Sequence, residues 1–154
     1  AINWTNVETV VLNAGTGNDT ITANLPAAQP NHVQVNGNAG TETINVQATA
    51  SGTATEVNGG ANNDVINVGS AGNSLDTIQG ALCIDGGGHD GGTATVCGVV
   101  VTVGDTVNLN DQGDGDANTY GLSSTGLVIR SGATMLEAAP RNSIRLPTSM
   151  VRIP

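Results

Sequence analysis

One short pattern returns along this chain at a nearly constant spacing, and that spacing restricts the folds open to it. Val10-Val11-Leu12-Asn13-Ala14-Gly15-Thr16-Gly17-Asn18-Asp19-Thr20-Ile21-Thr22 is followed by Val33-Gln34-Val35-Asn36-Gly37-Asn38-Ala39-Gly40-Thr41-Glu42-Thr43-Ile44-Asn45-Val46. A third copy is Thr55-Glu56-Val57-Asn58-Gly59-Gly60-Ala61-Asn62-Asn63-Asp64-Val65-Ile66-Asn67-Val68. A fourth opens at Leu82-Cys83-Ile84-Asp85-Gly86-Gly87-Gly88, is interrupted, and resumes at Gly104-Asp105-Thr106-Val107-Asn108-Leu109. The step from Ile21 to Ile44 is 23 residues and that from Ile44 to Ile66 is 22. A period this short is below that of a propeller blade, and the units are too rich in strand formers for helical repeats.

Each unit reads strand, Gly/Asn turn, strand, with apolar residues alternating inward. The expected fold is all-β, a right-handed parallel β-helix (β-solenoid) with coils of about 22 residues, whose like residues stack about 4.8 Å apart. The expected core is Leu12, Ile21, Val35, Ile44, Val46, Val57, Ile66, Val68, Ile84, Val107 and Leu109. Residues 1–134 form the repeat domain, with an insertion at 89–103 and a short third face within 69–80. Residues 135–154 read as a non-repeat tail, cap or linker, because Pro and Arg replace Gly there.

Charge narrows the function. The net charge is −9, there is no Lys, and all four Arg lie at 130 or beyond. Such a chain repels nucleic acid and anionic membrane and attracts divalent cations. No apolar run is long enough to span a bilayer. No signal peptide opens the chain, so an export signal is expected to lie upstream or to have been removed.

The Gly-rich turns resemble degenerate haemolysin-type calcium-binding nonapeptides, the RTX-like pattern Gly-Gly-x-Gly-x-Asp-x-apolar-x. Gly59 to Asn67 matches best, with Asn62 at the third Gly position; Ala14 to Thr22 has Ala14 at the first; Gly37 to Asn45 carries Glu42 in place of Asp. Those nonapeptides follow one another directly, whereas here one copy occurs per coil. The resemblance implies a coil-repeat region of a large secreted bacterial surface protein, an extracellular or cell-surface location, and calcium held by the acids Asp19, Glu42, Asp64 and Asp105. Two carboxylates about 5 Å apart repel by about 1 kcal/mol in water and about 3 kcal/mol at an effective dielectric near 20. Either calcium offsets that repulsion, or the acids face solvent. Asp111, Asp114 and Asp116 form a second acidic turn that mimics the start of an EF-hand but lacks its Gly and terminal Glu; it is a second candidate calcium site.

His89 and Asp90, in a Gly-rich loop, are the candidates for catalysis, but no nucleophile accompanies them. His32 reads as a surface residue. Cys83 should face outward and form a disulfide with Cys97, closing the insertion for roughly 3 kcal/mol by chain-entropy arithmetic; two buried thiols are the alternative. The leading function is a non-enzymatic structural or adhesive repeat segment, stabilised by calcium. The rivals are a carbohydrate-active β-helix (a polysaccharide lyase or hydrolase) and, from the Thr rows, an ice-binding solenoid. The first rival lacks the aromatic platforms and the basic residue beside acids that such enzymes use. Expected partners are surface polysaccharide and a second copy, the latter through an uncapped N-terminal solenoid end with Trp4 in or beside the contact.

Overall fold

The computed structural model describes residues 2–28, 30–122, 127–130 and 136–138, the last two stretches as backbone alone. Thirteen strands occur among them, and no helix. In chain order they are β1 (Thr9–Thr16), β2 (Thr20–Leu25), β3 (His32–Ala39), β4 (Thr43–Thr49), β5 (Ala54–Ala61), β6 (Val65–Val68), β7 (Ala81–Gly88), β8 (Gly92–Val96), β9 (Val99–Val103), β10 (Thr106–Leu109), β11 (Tyr120–Leu122), β12 (Leu127–Arg130) and β13 (Leu136–Ala138).

The repeat period becomes the geometry directly. β1, β3, β5 and β7 stack in parallel as one sheet, and β2, β4, β6 and β10 stack in parallel as the other. The chain is thus a parallel β-solenoid of about three turns. Register is held by repetition. Ile21, Ile44, Ile66 and Val107 face one another in sequence, as do Leu12, Val35, Val57 and Ile84. A one-residue slip would turn every one of these side chains to solvent. Outside, Asn rows lock the stack: Asn67 donates to Asn45 at 3.0 Å and Asn108 to Asn67 at 2.9 Å, while Asn36 donates to Asn13 at 2.8 Å.

Residues 69–80 close the third side. Ile78 bridges Thr49, and Leu75 and Ile78 are buried with Val33 and Leu82 in the core. These four apolar residues complete the expected core. Two expected members do not belong to it: Leu12 is 43% and Val107 41% exposed. Both lie on the edge strands β1 and β10, which have a neighbour on one side only. Leu109 is partly buried against the core.

The insertion forms a separate antiparallel hairpin, β8–β9. Within the expected tail, β13 joins the first sheet in parallel beside β7, and β12 and β11 follow it as antiparallel strands. Pairing with β7 thus extends the sheet past residue 134. Residues 139–154, with Pro140, Pro147, Pro154 and three of the Arg, lie outside the described residues.

Cys83 corrects another expectation. It occupies the outward row, in register with Glu56 and Glu137, yet it is only 8% exposed. Cys97 lies exposed in the hairpin turn, and no disulfide joins the two thiols. The expected bridge is absent because one cysteine is fixed inside the sheet and the other is carried to the hairpin tip.

Candidate functional site

The four acids of the repeat follow a glycine turn and precede the first residue of the second strand in each coil. The local fold aims them inward. Asn36 ends the outward-facing part of β3, Gly37 follows, and Asn38 takes a positive φ of 77°. The column made by Gly15, Asn38, Gly60 and Gly87 is left-handed throughout, with φ of 108°, 77°, 112° and 89°. Gly and Asn are the residues that adopt this conformation at least cost. It turns the chain from one sheet to the other and brings the acid back under the bend.

Burial is extreme at the two central acids: Glu42 is 0% and Asp64 1% exposed. Asp19 and Asp105, at the ends of the column, are half-buried. The reading that these acids all face solvent is therefore wrong for Glu42 and Asp64. Their geometry repeats from coil to coil. Asp64 Oδ1 accepts the Glu42 amide at 2.8 Å, and Asp105 Oδ1 accepts the Asp64 amide at 2.9 Å. The main-chain carbonyls of Asp19, Glu42 and Asp64 accept the first strand amide of the next coil: the Thr43 amide donates to Asp19 at 2.9 Å, Val65 to Glu42 at 2.9 Å and Thr106 to Asp64 at 2.8 Å. Each acid thus ties its coil to a neighbouring one at a bend where sheet pairing alone would leave amides unmatched.

The inward glycines exist because the carboxylates fill the bend. A Cβ on Gly37 would stand 2.9 Å from Glu42 Oε2 and 2.1 Å from the Gly59 carbonyl oxygen. On Gly59 it would stand 2.4 Å from Asp64 Oδ2 and 2.6 Å from the Gly86 carbonyl oxygen. On Gly86 it would stand 2.4 Å from Asp105 Oδ2. An acid oxygen and a carbonyl oxygen of the next coil therefore both crowd the Cβ positions of Gly37 and Gly59. Gly40 shows the same crowding, with Glu42 Oε1 and the Gly17 carbonyl oxygen both within 2.6 Å of its Cβ position.

Acceptors meeting acceptors leave charge without a counterpart. Neither oxygen of Glu42 nor Oδ2 of Asp64 meets a donor at hydrogen-bonding geometry. Burial first, then the adjoining Asp64 carboxyl and the Asp19 charge, push the Glu42 carboxyl above its ordinary range; the Asp19 amide offsets part of this. Burial and Asp105 raise Asp64, against the pull of the Glu42 amide and side chain. No Lys or Arg occurs before residue 130 to neutralise the column.

The donor set suits a hard cation, which takes carboxylate and carbonyl oxygens together. Glu42 and Asp64, with the carbonyls of Gly17, Gly59 and Gly86, are the groups that would hold calcium. Among the described residues no three Asp, Glu, His or Cys side chains converge on one point, so main-chain carbonyls would supply most of the ligands.

The other candidates are placed differently. Asp111, Asp114 and Asp116 lie in one turn, where donors reach the carboxylates of Asp111 and Asp114. Asp111 Oδ1 accepts the Leu75 amide at 2.8 Å, and its Oδ2 accepts the Tyr120 hydroxyl. Asn118 donates to Asp114 at 2.7 Å, and the Asp116 amide donates to Asp114 at 3.0 Å. Asp90 is tied to the preceding coil: its Oδ2 accepts from Asn62 at 2.8 Å and its amide donates to Asn63 at 3.0 Å. His89 packs against Gly104. His32 lies 3.5 Å from Glu56 on the outer face of the first sheet. That face holds a small pocket lined by Gln34, Glu56, Asn58, Cys83 and Asp85 with Val57 and Ile84 behind; the alternation of β3, β5 and β7 could have suggested it. Trp4 is 45% exposed.

No family model, curated protein or solved structure matches this chain.

Proposed function

We propose that this chain is a non-enzymatic structural or adhesive repeat segment of an exported bacterial surface protein, whose coils are clasped by calcium. The observation that supports this most is the buried acid column. A rod that presents the same rungs coil after coil is a spacer or display surface by construction, since each coil contacts only its neighbours. Its interior contains carboxylates that nothing in residues 1–129 neutralises. A divalent cation supplies the missing charge and adds cohesion between coils, and it is abundant outside cells. The same acids in a catalytic role would need a cleft open to substrate, and Glu42 and Asp64 have no exposed surface to offer.

Calcium titration at neutral pH tests the reading. A ligand that binds only the folded chain stabilises it by about 2.7 kcal/mol at a hundredfold excess over Kd, so thermal unfolding followed by circular dichroism should shift upward with millimolar calcium and downward with chelator. Glu42→Gln with Asp64→Asn should remove most of that shift. Identical melting curves in calcium and in chelator would overturn the calcium clasp.

A further inference from the structure

The first sheet is finished differently at its two ends. At one end β1, eight residues long, has no strand beyond it among the described residues. Leu12 is 43% exposed there, whereas Val35 and Val57, which follow it in register on β3 and β5, are 2% exposed. At the other end β7 is followed by β13, then β12, then β11, an edge strand of three residues. β13 lies parallel to β7, with Leu136, Glu137 and Ala138 opposite Leu82, Cys83 and Ile84. On their other side those β7 residues face Thr55, Glu56 and Val57, and the same rows run back to Val10, Val11 and Leu12 of β1. β13 therefore takes the rows that the first strand of a further coil would take. It matches over three residues, where β1 and β3 match over seven. The strands beyond it run antiparallel, so the coil pattern stops.

The stack itself shows what fits such an end. Each coil meets the one before it in the same way: β3 on β1, β5 on β3 and β7 on β5 in one sheet, β4 on β2, β6 on β4 and β10 on β6 in the other. The molecule carries both halves of this interface, one at β1 and β2, the other at β7 and β10. Two copies placed head to tail would bring β1 beside β7 and β2 beside β10 in the register the coils already use, with Leu12 covered by Ile84. A contact of this kind leaves both halves free at the outer ends and repeats without closing. We propose that β13 is a plug, which holds the β7 edge against the β1 strand of a second copy and so stops the solenoids from stacking head to tail. The β10 edge remains open among the described residues, but docking on it extends one sheet and not the other. Short edge strands are a common way to blunt a sheet against this kind of pairing. The plug acts through backbone pairing and does not depend on calcium in the acid column.

Glu137→Pro in the whole chain tests it. β13 is paired on both edges, to β7 and to β12, so a residue without an amide proton removes a ladder bond whichever way it faces. Light scattering over a concentration series at high salt screens the repulsion between the acidic bodies. The parent chain should reach a fixed small size, and the Glu137→Pro variant should grow severalfold in mean mass without a plateau. Leu12→Lys added to that variant sets a charge on the β1 edge and should return the mass to the parent's. A folded Glu137→Pro variant that stays at the parent's size overturns the proposal. So does growth that Leu12→Lys leaves intact, or a parent chain that itself grows without a plateau. Loss of the β-sheet circular dichroism in Glu137→Pro overturns it as well, because β13 would then belong to the folding core and not to a plug.

Discussion

The interior column and the turn at 111–118 hold the same functional group in opposite surroundings. In the turn, Asp111 and Asp114 are ringed by donors: the Leu75 and Asp116 amides, the Asn118 amide group and the Tyr120 hydroxyl. In the column, three of the four carboxylate oxygens of Glu42 and Asp64 have no donor at bonding distance. A carboxylate in a turn costs little because water and local amides share its charge. Inside a coil it costs several kcal/mol unless a proton or cation accompanies it. Acid content alone therefore says nothing about where this molecule is sensitive to its surroundings.

The contrast is broken most forcefully at a glycine. Gly59→Ala puts a methyl group 2.4 Å from Asp64 Oδ2 and 2.6 Å from the Gly86 carbonyl oxygen, and overpacking of this kind costs about 1–3 kcal/mol. Gly115→Ala, in the exposed turn, meets nothing within 4 Å and should stay within about 0.5 kcal/mol of the parent. Urea unfolding of the two variants measures the difference; equal stabilities would mean the carboxylate does not fill the bend.

A smaller effect comes from pH. The folded carboxyls of Glu42 and Asp64 titrate above their unfolded values. Their contribution to stability is then fully present below the unfolded carboxylate range, near pH 4, and is lost as pH rises through the folded values. Metal-free protein should accordingly lose stability as pH rises from the unfolded carboxylate range through the folded values. Glu42→Gln, which places a neutral donor among the carbonyls, should flatten that slope and raise the melting temperature at pH 8. Calcium should recover more stability at pH 8 than at pH 4. A Glu42→Gln variant with the parent's slope would remove Glu42 from the account.

The smallest effect belongs to the turn. Asn118→Ala deletes the donor shared by Asp114 and, at 3.4 Å, Asp111. A single hydrogen bond to a charged group at this exposure is worth about 1 kcal/mol. Chelator should leave the size of that loss unchanged. A loss that appears only in calcium would move the cation from the column to the turn.

The solenoid was legible because its signal is redundant. Ile21, Ile44 and Ile66 recur at 22–23 residues, Asn13, Asn36 and Asn58 recur in the first strand of successive coils, and each turn repeats the Gly/Asn pattern. Any one coil is ambiguous; the stack is not, since only one register buries every Ile and aligns every Asn. The acid position was legible for the same reason. Its direction was not. Asp19, Glu42, Asp64 and Asp105 read equally well as solvated acids, because alternation along a strand does not extend through a left-handed turn. The glycines beside them held the missing signal: Gly37, Gly59 and Gly86 each leave the space that a carboxylate occupies.

Sequence by itself therefore determined the coil length, the strand and turn positions, the core ladders and the acid of each rung, all of which follow from local pattern repeated in one chain. Tertiary structure alone decided what depends on neighbours in space. Leu12 and Val107 remain exposed because their strands are edges. Cys83 is enclosed although its row faces outward, and it is kept from Cys97 by the hairpin that projects the second thiol. Glu42 and Asp64 are sealed from water because two coils close over them. Burial is a property of stacked coils, and a repeat read one unit at a time does not contain it.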